Sequence, residues 1–68
     1  MKDWQRRVVE ENAQLNRKID ALTMFLEHEA SKDIGIHDRN LLIAQRCAMQ
    51  HYSDILVRRI TYFGGENG

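Results

Sequence analysis

A chain of 68 residues makes at most one small domain, and such a chain buries only about 60% of its unfolded surface, so it is marginal alone. Ten Lys and Arg balance ten Asp and Glu, a neutrality that argues against a coat for long nucleic acid but leaves room for a small anionic ligand held by a local cluster. A lone Cys47 rules out an intrachain disulfide and fits a reducing cytosol. His28, His37 and His51 lack zinc-site spacing, so neither a structural metal nor a cofactor is expected. No apolar run approaches the ~20 residues of a membrane span, and no signal peptide is visible. Of the usual remedies for a small core, oligomerisation remains.

The first element predicted is a helix from about Asp3 to Ala30. Asp3 is a candidate N-cap, and no proline or glycine interrupts the run before Gly35. Trp4, Val8, Glu11, Leu15, Lys18, Leu22 and Phe25 recur at steps of three and four, which is a heptad seam. Val9, Ile19 and Leu26 widen it. Glu11 and Lys18 are polar members of that seam.

Residues 31–37 read as the connecting loop. Ile34-Gly35-Ile36 has no helical period, and Gly35 suits a positive φ. So short a loop makes the two helices antiparallel neighbours. Asp38 can cap the second helix, although Leu41 stands where a capping box would need Glu or Gln.

The second helix is predicted from Asp38 to Phe63. Its seam runs Leu42, Gln45, Met49, Tyr52, Leu56, Arg59, Phe63, with Leu41, Ala48, Ile55 and Tyr62 as a stripe beside it. The apolar face is wider than a two-stranded seam needs. Two seam members, Gln45 and Arg59, are polar, which costs stability unless each meets a partner. Residues 64–68 are expected to end the helix and fray, beginning with Gly64 and Gly65. The chain is therefore expected to be one all-α unit, an antiparallel two-helix hairpin that assembles into a homo-oligomeric bundle.

Folding Phe25 onto Leu42 sets the pairing. Leu15 then lies near Tyr52, Glu11 near Leu56, Val8 near Arg59 and Trp4 near Phe63. Glu11 comes within a turn of Arg59, close enough for an ion pair. The open end gathers Arg6, Arg7, Arg58 and Arg59 with Trp4, Tyr62 and Phe63. Guanidinium groups bind phosphate through two parallel hydrogen bonds, and aromatic faces stack on bases.

Each of these residues has a plainer account. Arg6 and Arg58 read as solvated helix surface, and Arg58 suits a helix C-terminus. Trp4, Tyr52 and Phe63 can serve core or subunit packing. Glu11, Lys18 and Gln45 can be register devices as well as ligand contacts. His51 reads as surface, and Cys47 as a small seam filler. No Ser-His-Asp set, metal spacing or glycine-rich phosphate loop can be assembled, so an enzyme is not expected.

Two stretches carry a family likeness: Arg7-Val8-Val9-x-Glu11-x-x-x-Leu15-x-x-Lys18-Ile19-x-x-Leu22-x-x-Phe25, and Leu41-Leu42-x-x-Gln45-x-x-x-Met49-x-x-Tyr52-Ser53-x-Ile55-Leu56-x-x-Arg59-Ile60. They resemble the helical-hairpin module shared by phage anti-CBASS and Thoeris anti-defence sponges. The likeness covers Trp4 to Phe63, and Arg7, Glu11, Lys18, Gln45, Tyr52 and Arg59 match in register. It implies a homo-oligomer, commonly a hexamer, that sequesters cyclic di- or trinucleotide immune signals without cleaving them, in the cytoplasm of the infected bacterium. It makes Arg59, Arg7, Trp4, Lys18, Tyr52, Gln45 and Glu11 the candidate ligand contacts. The β-sheet domain with which some members bind cyclic ADP-ribose isomers is absent from this sequence. A hairpin that docks on a phage or host protein through the same face is the alternative function.

Overall fold

The computed structural model describes residues 1–28 and 32–66, with side chains to Phe63. Two helices form a rod of 50 × 15 × 14 Å: α1, Asp3–Glu27, and α2, Ile36–Glu66.

The ends of α1 follow from local hydrogen bonding. Lys2 is extended and is the N-cap, its carbonyl accepting from Arg6 N–H at 3.0 Å. The side-chain oxygen of Gln5 accepts from Lys2 N–H at 3.0 Å. Asp3, expected at the cap, is instead the first helical residue, where its charge still suits the dipole. The helix stops at Glu27, short of Ala30. His28 is extended, and its N–H turns back to the Phe25 carbonyl at 3.2 Å. The remainder of that expected helix, Glu29 and Ala30, and Ser31 of the loop lie outside the described residues.

Helix α2 begins two residues before the expected Asp38. The Gly35 carbonyl accepts the first helical bond, from Arg39 N–H at 3.0 Å, which leaves Asp38 within the first turn. Gly35 does not have the positive φ expected of it, and a Cβ there would meet nothing within 4 Å. The Arg39 guanidinium donates to the Leu26 carbonyl at 3.4 Å, joining the start of α2 to an end carbonyl of α1. At the far end, Gly64 and Gly65 do not stop the helix, which continues to Glu66. Glycine lowers helix stability by about 1 kcal/mol relative to alanine without forbidding the conformation. Asn67 and Gly68 of the expected frayed tail lie outside the described residues.

The seam between the helices is a heptad pattern, rotated by one residue from the expected one. On α1 the seam holds Gln5, Val8, Asn12, Leu15, Ile19, Leu22 and Leu26, all buried or half-buried, with Val9, Thr23 and Phe25 half-buried beside it. On α2 they include Leu42, Arg46, Met49, Ser53, Leu56, Ile60 and Phe63. Val8, Leu15, Ile19 and Leu56 form the buried core, with Met49, Ile60 and Phe63 packed against it. Trp4, Glu11, Lys18, Gln45, Tyr52 and Arg59, expected in the seam, are all exposed. Both phases offer apolar residues, so their polar members decide between them. The expected phase would desolvate three charged residues, Glu11, Lys18 and Arg59, whereas the observed one takes in a single half-buried charge, Arg46, and otherwise sets neutral polar groups that satisfy one another.

Those neutral groups form a small network. Ser53 is buried, and its hydroxyl lies 2.9 Å from Asn12 Oδ1 and 3.0 Å from Asn16 Oδ1. A serine has one hydroxyl hydrogen, so one of these amides must turn its NH2 to the Ser53 oxygen. The network fixes which turn of α1 faces which turn of α2.

Candidate functional site

The six polar or aromatic residues displaced from the seam line one edge of the hairpin. Trp4, Glu11 and Lys18 stand seven residues apart on α1, and Gln45, Tyr52 and Arg59 do so on α2. Seven residues are about two helical turns, or ~10.5 Å, so each set forms a column on one face. The antiparallel register makes rungs of Trp4 with Arg59, Glu11 with Tyr52, and Lys18 with Gln45.

Contacts establish two of the rungs. At the open end, Trp4, Arg59, Tyr62 and Phe63 line a recess of about 270 Å³. Its floor is aromatic: the Trp4 and Phe63 rings meet edge to face, 5.1 Å between centroids and 86° between planes. Such packing holds both rings in place, and Trp4 still keeps 48% of its surface exposed. Tyr62 is 68% exposed. A guanidinium therefore stands beside accessible π-faces.

One rung inward, the Tyr52 hydroxyl donates to a Glu11 carboxylate oxygen. This replaces the ion pair expected between Glu11 and Arg59, which does not occur among the described residues. Tyr52 and Glu11 sit side by side across the seam, whereas Arg59 lies two turns further toward the open end. The Glu11–Tyr52 bond is exposed, so its coupling should be small. A double-mutant cycle of Glu11→Gln and Tyr52→Phe is expected to give about 0.5–1.5 kcal/mol in thermal unfolding, and the cycle of Glu11→Gln with Arg59→Ala close to zero. The reverse ranking would restore the ion pair.

The third rung is placed by register alone. Lys18 is exposed, and the Gln45 amide turns along its own helix toward Met49 Sδ at 3.9 Å, a weak contact. Arg7 is exposed and is not among the residues lining the terminal recess. The expected cluster of four arginines therefore divides. Arg59 faces the aromatic recess, Arg58 lines a separate one with Val57, Thr61 and Tyr62, and Arg6 and Arg7 stand outside both. Sequence reasoning missed Asn12, Asn16 and Ser53, whose signal was small polar residues at heptad spacing between apolar ones.

Among the described residues, no cluster of His, Cys, Asp and Glu could hold a metal, and no helix is long and apolar enough to cross a membrane.

The sequence matches the Sequestin family over residues 2–62. It is also similar to an uncharacterized 7.5 kDa protein of the denB-rIIB intergenic region of Enterobacteria phage T4, 38% identical over 60 residues, covering 88% of this chain and 94% of the phage protein. No solved structure matches it.

Proposed function

The chain belongs to the Sequestin family, and from that premise we propose that it is a phage sponge that binds cyclic di- or trinucleotides and holds them without cleavage. The family name speaks of sequestration, and the similar T4 protein supports a phage setting. The observation that carries the ligand class is the recess of Trp4, Arg59, Tyr62 and Phe63. A guanidinium suits a phosphodiester, and the aromatic faces beside it suit a base. Holding such a ligand requires only a cation and π-faces.

The working form is a homo-oligomer, and a hexamer suits the ligand. A cyclic trinucleotide has approximate threefold symmetry, so three subunits can each bring one Arg59 and one aromatic ring to it. Exposed apolar residues support assembly. Leu41 is 68% exposed and Ile55 42%, on one stripe with Ala48 and Tyr62. Contiguous apolar patches of this kind are uncommon on monomers. The other expected stripe is smaller than anticipated, because Ile19 is buried inside the hairpin and Val9 is half-buried. The site of action is the cytoplasm of the infected bacterium, a reducing compartment that suits the exposed thiol of Cys47.

Calorimetry against cyclic di- and trinucleotides, followed by recovery of the nucleotide, tests the function. Saturable binding with intact nucleotide recovered is expected. Heat without recovery would indicate turnover. No binding would leave the same exposed stripe as a docking face for a phage or host protein. Light scattering should show a species larger than a dimer, and Ile55→Asp should break it by placing an unpaired charge in the interface. A monodisperse wild-type monomer at micromolar concentration would overturn the assembly.

A further inference from the structure

The opposite edge of the hairpin has a different chemistry. Val9, Asn16 and Thr23 stand seven apart on α1, and Ile43, Gln50 and Val57 seven apart on α2. The register pairs Val9 with Val57, Asn16 with Gln50, and Thr23 with Ile43. The middle rung is supported by a shared recess, lined by Asn16, Ile19, Gln50, Ser53 and Asp54.

None of these six residues is charged, in a chain that is 29% charged. Three of the six on the first edge are: Glu11, Lys18 and Arg59. Positions flanking a two-helix seam ordinarily carry Glu and Lys when they face water. Val9, Thr23 and Ile43 are half-buried, and Val57 keeps 47% of its surface exposed. The strip is also close to palindromic, with an amide rung at the centre and a rung of β-branched residues two turns away on either side.

We propose that this neutral edge is an interface with a second copy of the same chain, related by a two-fold axis perpendicular to the helices through the Asn16–Gln50 rung. Such an axis lays amide on amide and the Val9–Val57 rung on the partner's counterpart of Thr23–Ile43. A primary amide is both donor and acceptor, so it is complementary to its own copy, as an isologous contact requires. A different partner would have no need of the palindrome. Asp54 is four residues from Gln50, so the two carboxylates would stand about 12 Å apart along the helices, beyond the ~8 Å screening length of physiological salt. This edge lies across the seam from Glu11, Tyr52 and Arg59, so pairing through it leaves the nucleotide recess uncovered. The inference rests on the homo-oligomer of the proposed function and not on the identity of the ligand.

Gln50 is the residue to change, because it is exposed while Asn16 is tied to Ser53. In the full chain, Gln50→Glu and Gln50→Lys should each keep wild-type helicity by circular dichroism. Each should fall to a smaller species by light scattering, with self-association weakened on the order of 100-fold or more, since like charges meet across the axis. Mixing the two variants should restore assembly, because Glu then faces Lys. Wild-type assembly by either variant alone would show that the edge is not an interface. Dissociation of both without rescue on mixing would show that copies do not meet about this axis. A monomeric wild type would overturn the oligomer itself, and assembled variants beside an assembled wild type would overturn this interface alone.

Discussion

Arg59→Ala is expected to abolish cyclic trinucleotide binding while leaving the assembly intact. The side chain is exposed, lines the terminal recess with Trp4, Tyr62 and Phe63, and is not engaged by Glu11, whose carboxylate takes the Tyr52 hydroxyl. Its guanidinium is therefore available to a ligand. If three symmetry-related copies converge on one ligand, a single substitution removes all three. Each charge-assisted hydrogen bond contributes on the order of 1.5–3 kcal/mol, so the loss exceeds about 1,000-fold in affinity. Arg59→Lys keeps the charge but loses the planar fork, and should weaken binding without ending it. Calorimetry gives the affinities and light scattering the assembly. Wild-type affinity in Arg59→Ala would move the site elsewhere. Collapse to monomers would make Arg59 a packing residue.

The second large effect is expected at Leu56. Among the described residues it is the one with no exposed surface, packed with Val8, Leu15 and Ile19. Leu→Ala in a core costs about 2–5 kcal/mol, through lost burial and the cavity left behind. A domain of this size has on the order of 3–10 kcal/mol in total. Leu56→Ala should therefore lower the melting temperature by more than about 10 °C, and at the upper end of the range leave the hairpin unfolded at 37 °C. Met24→Ala is the control, because Met24 is 70% exposed and lies on neither the seam nor the stripe proposed for assembly. Equal melting temperatures for the two variants, followed by circular dichroism, would contradict the core described above.

The two-helix hairpin was legible in the sequence because period, loop and antiparallel pairing depend on strong local signals. The Trp4–Phe63 contact followed from loop position alone. The phase of the seam was harder. Each helix carries two overlapping heptad series that share Val8, Leu15 and Leu22 on α1, and each series offers the same number of apolar residues, so apolar pattern alone does not separate them. What separates them is the cost of desolvating Glu11, Lys18 and Arg59 against the mutual satisfaction of Asn12, Asn16 and Ser53. That satisfaction is a property of both helices together, so neither helix shows it when read by itself. The helix ends were misplaced for a related reason. Asp3, Asp38, Gly35 and Gly64 each have a propensity for ends, but the carbonyls of Lys2 and Gly35 accept the first helical bonds. At the candidate site, Trp4 and Arg59 could be grouped at the open end by spacing, whereas Glu11 was matched to Arg59 and Tyr52 to Leu15, and the Glu11–Tyr52 bond was not foreseen. The outward direction of Trp4, Glu11, Tyr52 and Arg59 followed only once the seam was fixed.

The rod is fastened by its loop at one end, while at the other the helices are held, among the described residues, by the Trp4–Phe63 ring contact and the packing of Ile60 and Phe63 on the core. A structure of this kind opens like a zipper, from the unfastened end inward. Backbone amides near Trp4 and Arg59 would then exchange with solvent deuterium fastest, and those around Leu15 and Leu56 slowest, as openings there require most of the rod to part. The recess of Trp4, Arg59, Tyr62 and Phe63, proposed above to take the nucleotide, lies on the part that opens first. A ligand bound there would close the zipper, so that occupancy could be read as slowed exchange along the outer turns of both helices, even before a bound structure is known.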